Sequence, residues 1–237
     1  MRTWAGAIFA ALCLATGGLS AASAQDATDD PVVVELFTAQ GCAACADTGA
    51  FAADLATRPD VLVLTYPVDY WDYLGWRDTF ARPEFSERQR AYQQALRLRG
   101  LYTPQAVIDG RREAMAVRPA EVIRAIDAET DDRPPAPDML VVERTGELAV
   151  GSGRAPDGGA DVWLVRYDPD PEPVRVRRGE NRGRSLEHAN VVRELVRLGR
   201  WTGRPTRMDL PAAEEDGLEG VVLVQAADGA ILAAHRL

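Results

Sequence analysis

Two cysteines three positions apart, Cys42 and Cys45, are the side chains best equipped for chemistry in this 237-residue sequence. A thiolate is the nucleophile of disulfide exchange. In a C-x-x-C the two sulfurs close a disulfide with little backbone motion and reopen it to a dithiol. Cys42 is then placed to attack, and Cys45 to resolve the mixed disulfide that forms. Two other uses stay open. One is a structural staple, although a four-residue loop stabilises by only about 2 kcal/mol in the loop-entropy treatment, against about 4–5 for a loop of roughly a hundred residues. The other is a metal site. Zinc wants four ligands, and only His188 and His235, far along the chain, could complete a Cys2His2 set. Cu(I) needs soft thiolates alone, so a copper carrier is conceivable. Dithiol-disulfide exchange uses the pair best.

Composition narrows the rest. The formal charge is −9, and every one of the 27 basic residues is Arg. The acidic balance sets aside a general nucleic-acid binder, and the lack of Lys excludes Schiff-base and P-loop lysine chemistry. Arg2 is the only charge before Asp26, an Ala/Leu-rich stretch follows, and Ala22-Ser23-Ala24 ends it. This reads as a secretory signal peptide over residues 1–24 that carries Cys13 away. Its apolar core is shorter than the ~20 residues needed to span a bilayer. No stable membrane span remains after cleavage. The expected location is periplasmic or secreted, an oxidising compartment in which a lone C-x-x-C is informative.

The elements around the pair follow from the hydrophobic pattern. Pro31 to Phe37 reads as a buried strand with one acid, Glu35, inside it. Gly41 breaks it, an Ala-rich helix is expected from Ala43 to Ala56, and Val61 to Tyr66 is a second strand. The cysteines thus sit at a strand-to-helix turn of a β-α-β unit. An aromatic insertion, 69–80, holds Tyr70, Trp71, Tyr73, Trp76 and Phe80. It reads as a lid or platform for a peptide partner, or as a local mini-core, the second being favoured. Pro83 opens a helix expected to reach Arg99. Gln105 to Ile108 and Ala114 to Val117 flank an Asp109-Gly110 hairpin turn, and Pro119 starts a closing helix. The order is the thioredoxin arrangement.

The motifs V-E-L-F-T-A-Q-G-C-A-A-C, L-T-Y-P-V-D-Y-W-D-Y-L-G-W-R-D and L-R-G-L-Y-T-P-Q-A-V-I-D-G-R, with G-E-N-R-G-R at Gly179 to Arg184, resemble a bacterial exported thioredoxin-like family, domain of unknown function 1223. The resemblance runs from about Val32 to the C-terminus. It implies a thioredoxin-like fold and brings no activity with it. It further implies that Pro104 is the cis-proline facing the cysteine pair and shaping a substrate groove. Glu35 stands near the position, with a one-residue offset, of the buried acid that assists proton transfer to the second cysteine. Alternatively it is an acid on the solvent side of an edge strand. The dipeptide Ala43-Ala44 matches neither thioredoxin nor the periplasmic oxidants, so the direction of electron flow stays open.

Past a Pro-rich linker at 131–138, short alternating runs recur: Met139 to Val142, Glu147 to Val150, Val162 to Tyr167, Val174 to Val176, Val221 to Val224 and Ile231 to Ala234. Their rhythm is that of an antiparallel β-sandwich over 139–237. Asn190 to Trp201 fits helix or strand, and the context favours strand. Five arginines crowd Val174 to Arg184 and read as a solvated face paired with acids such as Glu172 and Glu180. The expected molecule is α/β: a thioredoxin-like domain (25–130) followed by that sandwich. Its expected work is thiol-disulfide exchange on envelope proteins, with Cys42, Cys45, Pro104 and Glu35 as site residues, no cofactor, no metal, and a redox partner protein or envelope thiols as partners. The alternative is a non-catalytic binding module for a peptide, an envelope protein or Cu(I), its disulfide structural.

Overall fold

A computed structural model describes residues 30–131, 135–142 and 144–237. The expected signal peptide, Cys13 and the middle of the linker lie outside the described residues. Strand β1 (Val32–Thr38) is buried along its whole length, as a strand covered on both faces must be. It runs parallel to β2 (Val61–Pro67), with Val32 opposite Val61 and Thr38 opposite Pro67. The connection holds a 3-10 turn (Ala43–Cys45) and helix α1 (Thr48–Ala56). The helix expected from Ala43 is therefore broken in two after the second cysteine. Helix α2 (Pro83–Ala95) begins at its proline and stops short of Arg99, because Arg97 takes a left-handed φ of 54°. Strands β3 (Gln105–Ile108) and β4 (Arg112–Met115) form a hairpin beside β1. Its turn residues Asp109 and Gly110 both have positive φ, 46° and 64°, as a primed turn requires. Helix α3 (Pro119–Asp131) closes this half.

The second half contributes β5 (Met139–Val142), β6 (Glu147–Val150), β7 (Ala160–Asp168), β8 (Val174–Arg175), β9 (Ser185–Leu186), β10 (Val191–Trp201), β11 (Thr206–Asp209), β12 (Glu219–Ala226) and β13 (Ile231–Arg236). The ambiguous Asn190–Trp201 segment is thus a strand, β10. These strands do not stand apart as a sandwich of their own. Four of them lengthen the first half's sheet into one eight-stranded sheet of order β13-β12-β7-β10-β2-β1-β3-β4. The splice is β10 against β2. Val191 pairs with Thr65, the Thr65 N–H donates to Asn190 O at 2.8 Å, and the Asn190 amide donates to Val63 O at 2.9 Å. Only the small sheet β11-β6-β5 stacks face to face, setting Leu148, Val150 and Met208 on Val162, Leu164, Val222 and Val224.

The large sheet curls. The Ile231 N–H of β13 donates to Asp109 O at 2.8 Å, and the Ala234 N–H to Asp30 Oδ1 at 2.7 Å, so the far edge returns to the start of β1. One face then encloses a single core of Val33, Phe37, Leu62 and Leu64 with Val165, Val192, Val221 and Leu223, sealed by Phe85 and Tyr92 of α2. The other face carries α1 and α3, through Ala52, Leu55, Val122 and Ile126. Alternation along a strand forces this division, since neighbouring residues point to opposite faces.

Glu35 lies on the enclosed face with no exposure. Strand β1 is flanked by β2 and β3, so Glu35 is on no edge strand. A buried carboxylate needs a cation and further donors. Arg88 of α2 supplies them: Nε donates to Oε1 at 2.7 Å and Nη2 to Oε2 at 3.1 Å. The same guanidinium donates to Tyr92 Oη at 3.2 Å and Gln225 Oε1 at 3.2 Å. Removing one partner leaves a buried charge. Arg88→Ala is expected to lower stability by about 3–5 kcal/mol, and a Glu35→Leu/Arg88→Met double variant to recover most of it. Urea denaturation midpoints of the three proteins check this.

Candidate functional site

The cysteines sit where β1 ends. The Cys42 N–H donates to Ala39 O at 3.1 Å and the Cys45 N–H to Cys42 O at 3.0 Å, which closes the tight turn. Thr48, opening α1, donates its hydroxyl to Cys45 O at 2.6 Å. The two sulfurs form a disulfide with Cα atoms 5.3 Å apart. Both cysteines are enclosed, at 2% and 4% exposure. Cys42 is the N-cap of a three-residue 3-10 turn rather than of a full α-helix. Few aligned peptides therefore support a thiolate here, and the local N–H groups carry that task.

Facing the pair is the corner before β3. Cys42 Sγ lies 3.7 Å from the carbonyl oxygen of Thr103, and the Thr103–Pro104 peptide is cis. Gln89 of α2 fixes the corner, donating to Tyr102 O at 2.9 Å and accepting the Tyr70 hydroxyl at 3.0 Å. Three of the four expected site residues, Cys42, Cys45 and Pro104, thus come together. Glu35 shares the enclosed face with the cysteines, but its carboxylate is taken up by Arg88.

The aromatic insertion is pinned to the cysteine loop by Gln40. The Gln40 side chain accepts the Trp76 indole N–H at 2.9 Å and donates to Thr79 Oγ1 at 2.9 Å. Asp78 accepts the Gln40 backbone N–H at 2.6 Å and that of Phe80 at 3.0 Å. Tyr70 and Trp71 pack against the main core, while Tyr73 stands exposed. Gly41 passes under Trp71 so closely that a Cβ would sit 3.3 Å from the Trp71 Cβ.

On the other side lies a strap from the second half, the hairpin β8–β9 and its 176–184 loop. Asn181, 2% exposed, donates its amide to Gln40 O at 3.0 Å and Cys42 O at 2.8 Å. Glu180 accepts the Ala43 N–H at 3.2 Å, and Arg184 pairs with Asp47 at 2.7 Å. The arginine-rich stretch, given no site from sequence, is in part a cover for the cysteine loop. The sequence signal for it was the family-like G-E-N-R-G-R motif, which sets a Glu and an Asn between Gly179 and Gly183, both of which take positive φ. Gln40 and Asp78 fall inside the family-like motifs without a role to mark them there, and Gln89 carried no signal, being an ordinary polar residue whose partners lie elsewhere in the sequence.

Among the described residues no group of three or more His, Cys, Asp and Glu side chains comes together to hold a metal ion. No described helix is long and apolar enough to cross a membrane. A cavity of about 380 Å³ opens between α2 and β7, β10 and β12, lined by Arg88, Tyr92, Trp163, Leu195 and Gln225 among others. No residue of the cysteine loop lines it.

The chain belongs to a family described as protein of unknown function (DUF1223), whose model matches residues 33–225. It is similar to the X-ray crystal structure of a structural-genomics target from Agrobacterium tumefaciens, with 32% identity and a TM-score of 0.71, over 87% of this chain and 93% of that one. Curated proteins yield no match.

A buried carboxyl and a half-buried imidazole beside the loop titrate in opposite senses. Burial pushes the Asp78 carboxyl up to about 6, so the stability it contributes is complete below its unfolded value near 4 and is lost as pH rises through about 6. Burial pushes His188, edge-on to Phe80, down to about 4, so its contribution is complete above about 6.5 and is lost as pH falls through about 4. The two slopes oppose each other between about pH 4 and 6. Asp78→Asn should therefore leave stability rising with pH across that window, and His188→Gln leave it falling, each by about 2–3 kcal/mol. Urea midpoints measured against pH read both signs.

Proposed function

We propose that the chain is an exported thiol-disulfide oxidoreductase built on a thioredoxin-like core. The observation that carries the reading is the Cys42–Cys45 disulfide just past the end of β1, with Cys42 Sγ against the Thr103 carbonyl that precedes Pro104. The core's order β1-α1-β2-α2-β3-β4-α3, with β2 and β1 parallel and the β3–β4 hairpin antiparallel beside them, supports it. The proposed division sets a signal peptide at 1–24, the thioredoxin-like unit at 25–130, a linker at 131–138, and 139–237 as an added unit that covers the site.

In this reading Cys42 attacks a substrate disulfide, and Cys45 resolves the mixed disulfide to release the substrate dithiol. In the reverse direction a substrate thiolate attacks Cys42 with Cys45 as the leaving thiolate, and the substrate's second thiolate displaces Cys42. Pro104 shapes the groove and keeps a backbone donor out of it. With Glu35 held by Arg88, proton exchange at Cys45 falls to water or the partner. With Cys13 removed in the signal peptide, no further cysteine is left for an internal relay, so turnover uses an external redox protein or envelope thiols. The cavity beside Arg88 favours a second reading, a binding module whose disulfide is structural. Its volume lies within the range of small-ligand sites.

The reduction potential decides between them. Exchange catalysis expects a value between about −120 and −270 mV, with Cys42 more acidic than an ordinary thiol at about 8.5. Cys42→Ser should abolish exchange with glutathione. A potential below about −300 mV, or an unreactive Cys42, leaves the binding module.

A further inference from the structure

We infer that Glu180 and Asn181, carried on the strap from the second half, are positioning residues of the cysteine pair, and that together they hold the acidity of Cys42 down. The inference rests on the redox reading for its biological meaning, though not for its physics. Cys42 caps the 3-10 turn, and the N–H groups that follow it are the donors nearest a Cys42 thiolate. The first of them, that of Ala43, is already given to the Glu180 carboxylate at 3.2 Å. An anion bound one residue from Cys42 repels a second anion, which favours the protonated thiol. Asn181 is the anchor. Its two amide hydrogen bonds to Gln40 O and Cys42 O fasten the strap to the loop and set Glu180 beside Ala43.

The other charges around the loop do not reverse the sign. Arg184 reaches the loop but is paired there with Asp47 at 2.7 Å. Asp78, on the insertion side, is turned to the Gln40 N–H. At the Thr103 corner, Tyr102 donates to Glu113. Arg175, Arg177, Arg178 and Arg182 remain on the strap in every variant considered, so removing the Glu180 charge can only leave the surroundings of Cys42 more positive.

The test uses the full mature chain with Cys45→Ala, which leaves Cys42 as its single thiol, and follows the ultraviolet absorbance of the thiolate against pH. This readout depends neither on access to the sulfur nor on catalysis. Glu180→Gln keeps an acceptor for Ala43 and removes the charge. It should lower the Cys42 pKa by about half a unit, a roughly threefold gain in thiolate at neutral pH. Asn181→Ala should act in the same direction by releasing Glu180. The double variant should go no further than Glu180→Gln alone, since the anchor works through the carboxylate. The shift should shrink between about 10 mM and about 1 M salt, because an exposed charge is screened. An unchanged or raised pKa in Glu180→Gln overturns the inference, and additive effects in the double variant overturn the anchoring role of Asn181. Glutathione exchange of the Cys45-containing protein, measured in parallel, tests the oxidoreductase reading separately. A pKa shift without exchange sinks that reading alone, and exchange without a shift sinks this one alone.

Discussion

A carboxylate with no exposure, in the middle of the interior strand β1, governs how this molecule assembles. Glu35 cannot be left uncompensated in an apolar core. Arg88 must therefore come to it, and with Arg88 comes α2, laid over the enclosed face of the sheet. The guanidinium also reaches Gln225 on β12, so the ion pair ties the first half of the chain to the second. The Tyr66, Tyr92 and Trp163 rings lie 5.3–5.8 Å from it and shield it further. From α2, Gln89 then holds the corner that faces Cys42. The geometry beside the disulfide thus descends from an ion pair made by the neighbouring residue of the same helix.

The second half earns its place through backbone pairing and through the strap. By joining β2, strand β10 makes one sheet of strands from both halves, and the curl of that sheet gives them a common core. The chain between β7 and β10 is carried past the splice and over the cysteine loop. Gly49 of α1 shows how close this passage is, since a Cβ there would lie 1.8 Å from Glu187 O. The cysteine loop is consequently held from two sides, by Gln40 and Asp78 toward the aromatic insertion and by Asn181 toward the strap. Those contacts leave both cysteines almost wholly enclosed.

Much of the first half was legible in the amino-acid sequence. The V-V-V-E-L-F run, the break at Gly41, Pro83 at a helix start and the Asp109-Gly110 turn are local signals, each set by backbone conformation or by alternation along a strand. They placed Cys42 and Cys45 at a strand end, and the resemblance added Pro104. The break between Cys45 and α1 escaped that reading because Ala-rich sequence has high helix propensity, and propensity is overruled where Thr48 turns back to Cys45 O.

The sequence by itself therefore determined the elements, the cysteine spacing and the family to which the chain belongs. Tertiary structure decided the rest. It decided that the second half's strands extend the first sheet, since pairing partners such as Thr65 and Val191 are far apart in the chain and alternation says which face is buried, never which strand lies alongside. It decided that Glu35 answers Arg88, a choice between many acids and many arginines that only distance makes. It also decided that Asn181 and Glu180 belong to the cysteine loop. Their side chains are common surface types, and what sets them apart is a position that only long-range packing creates.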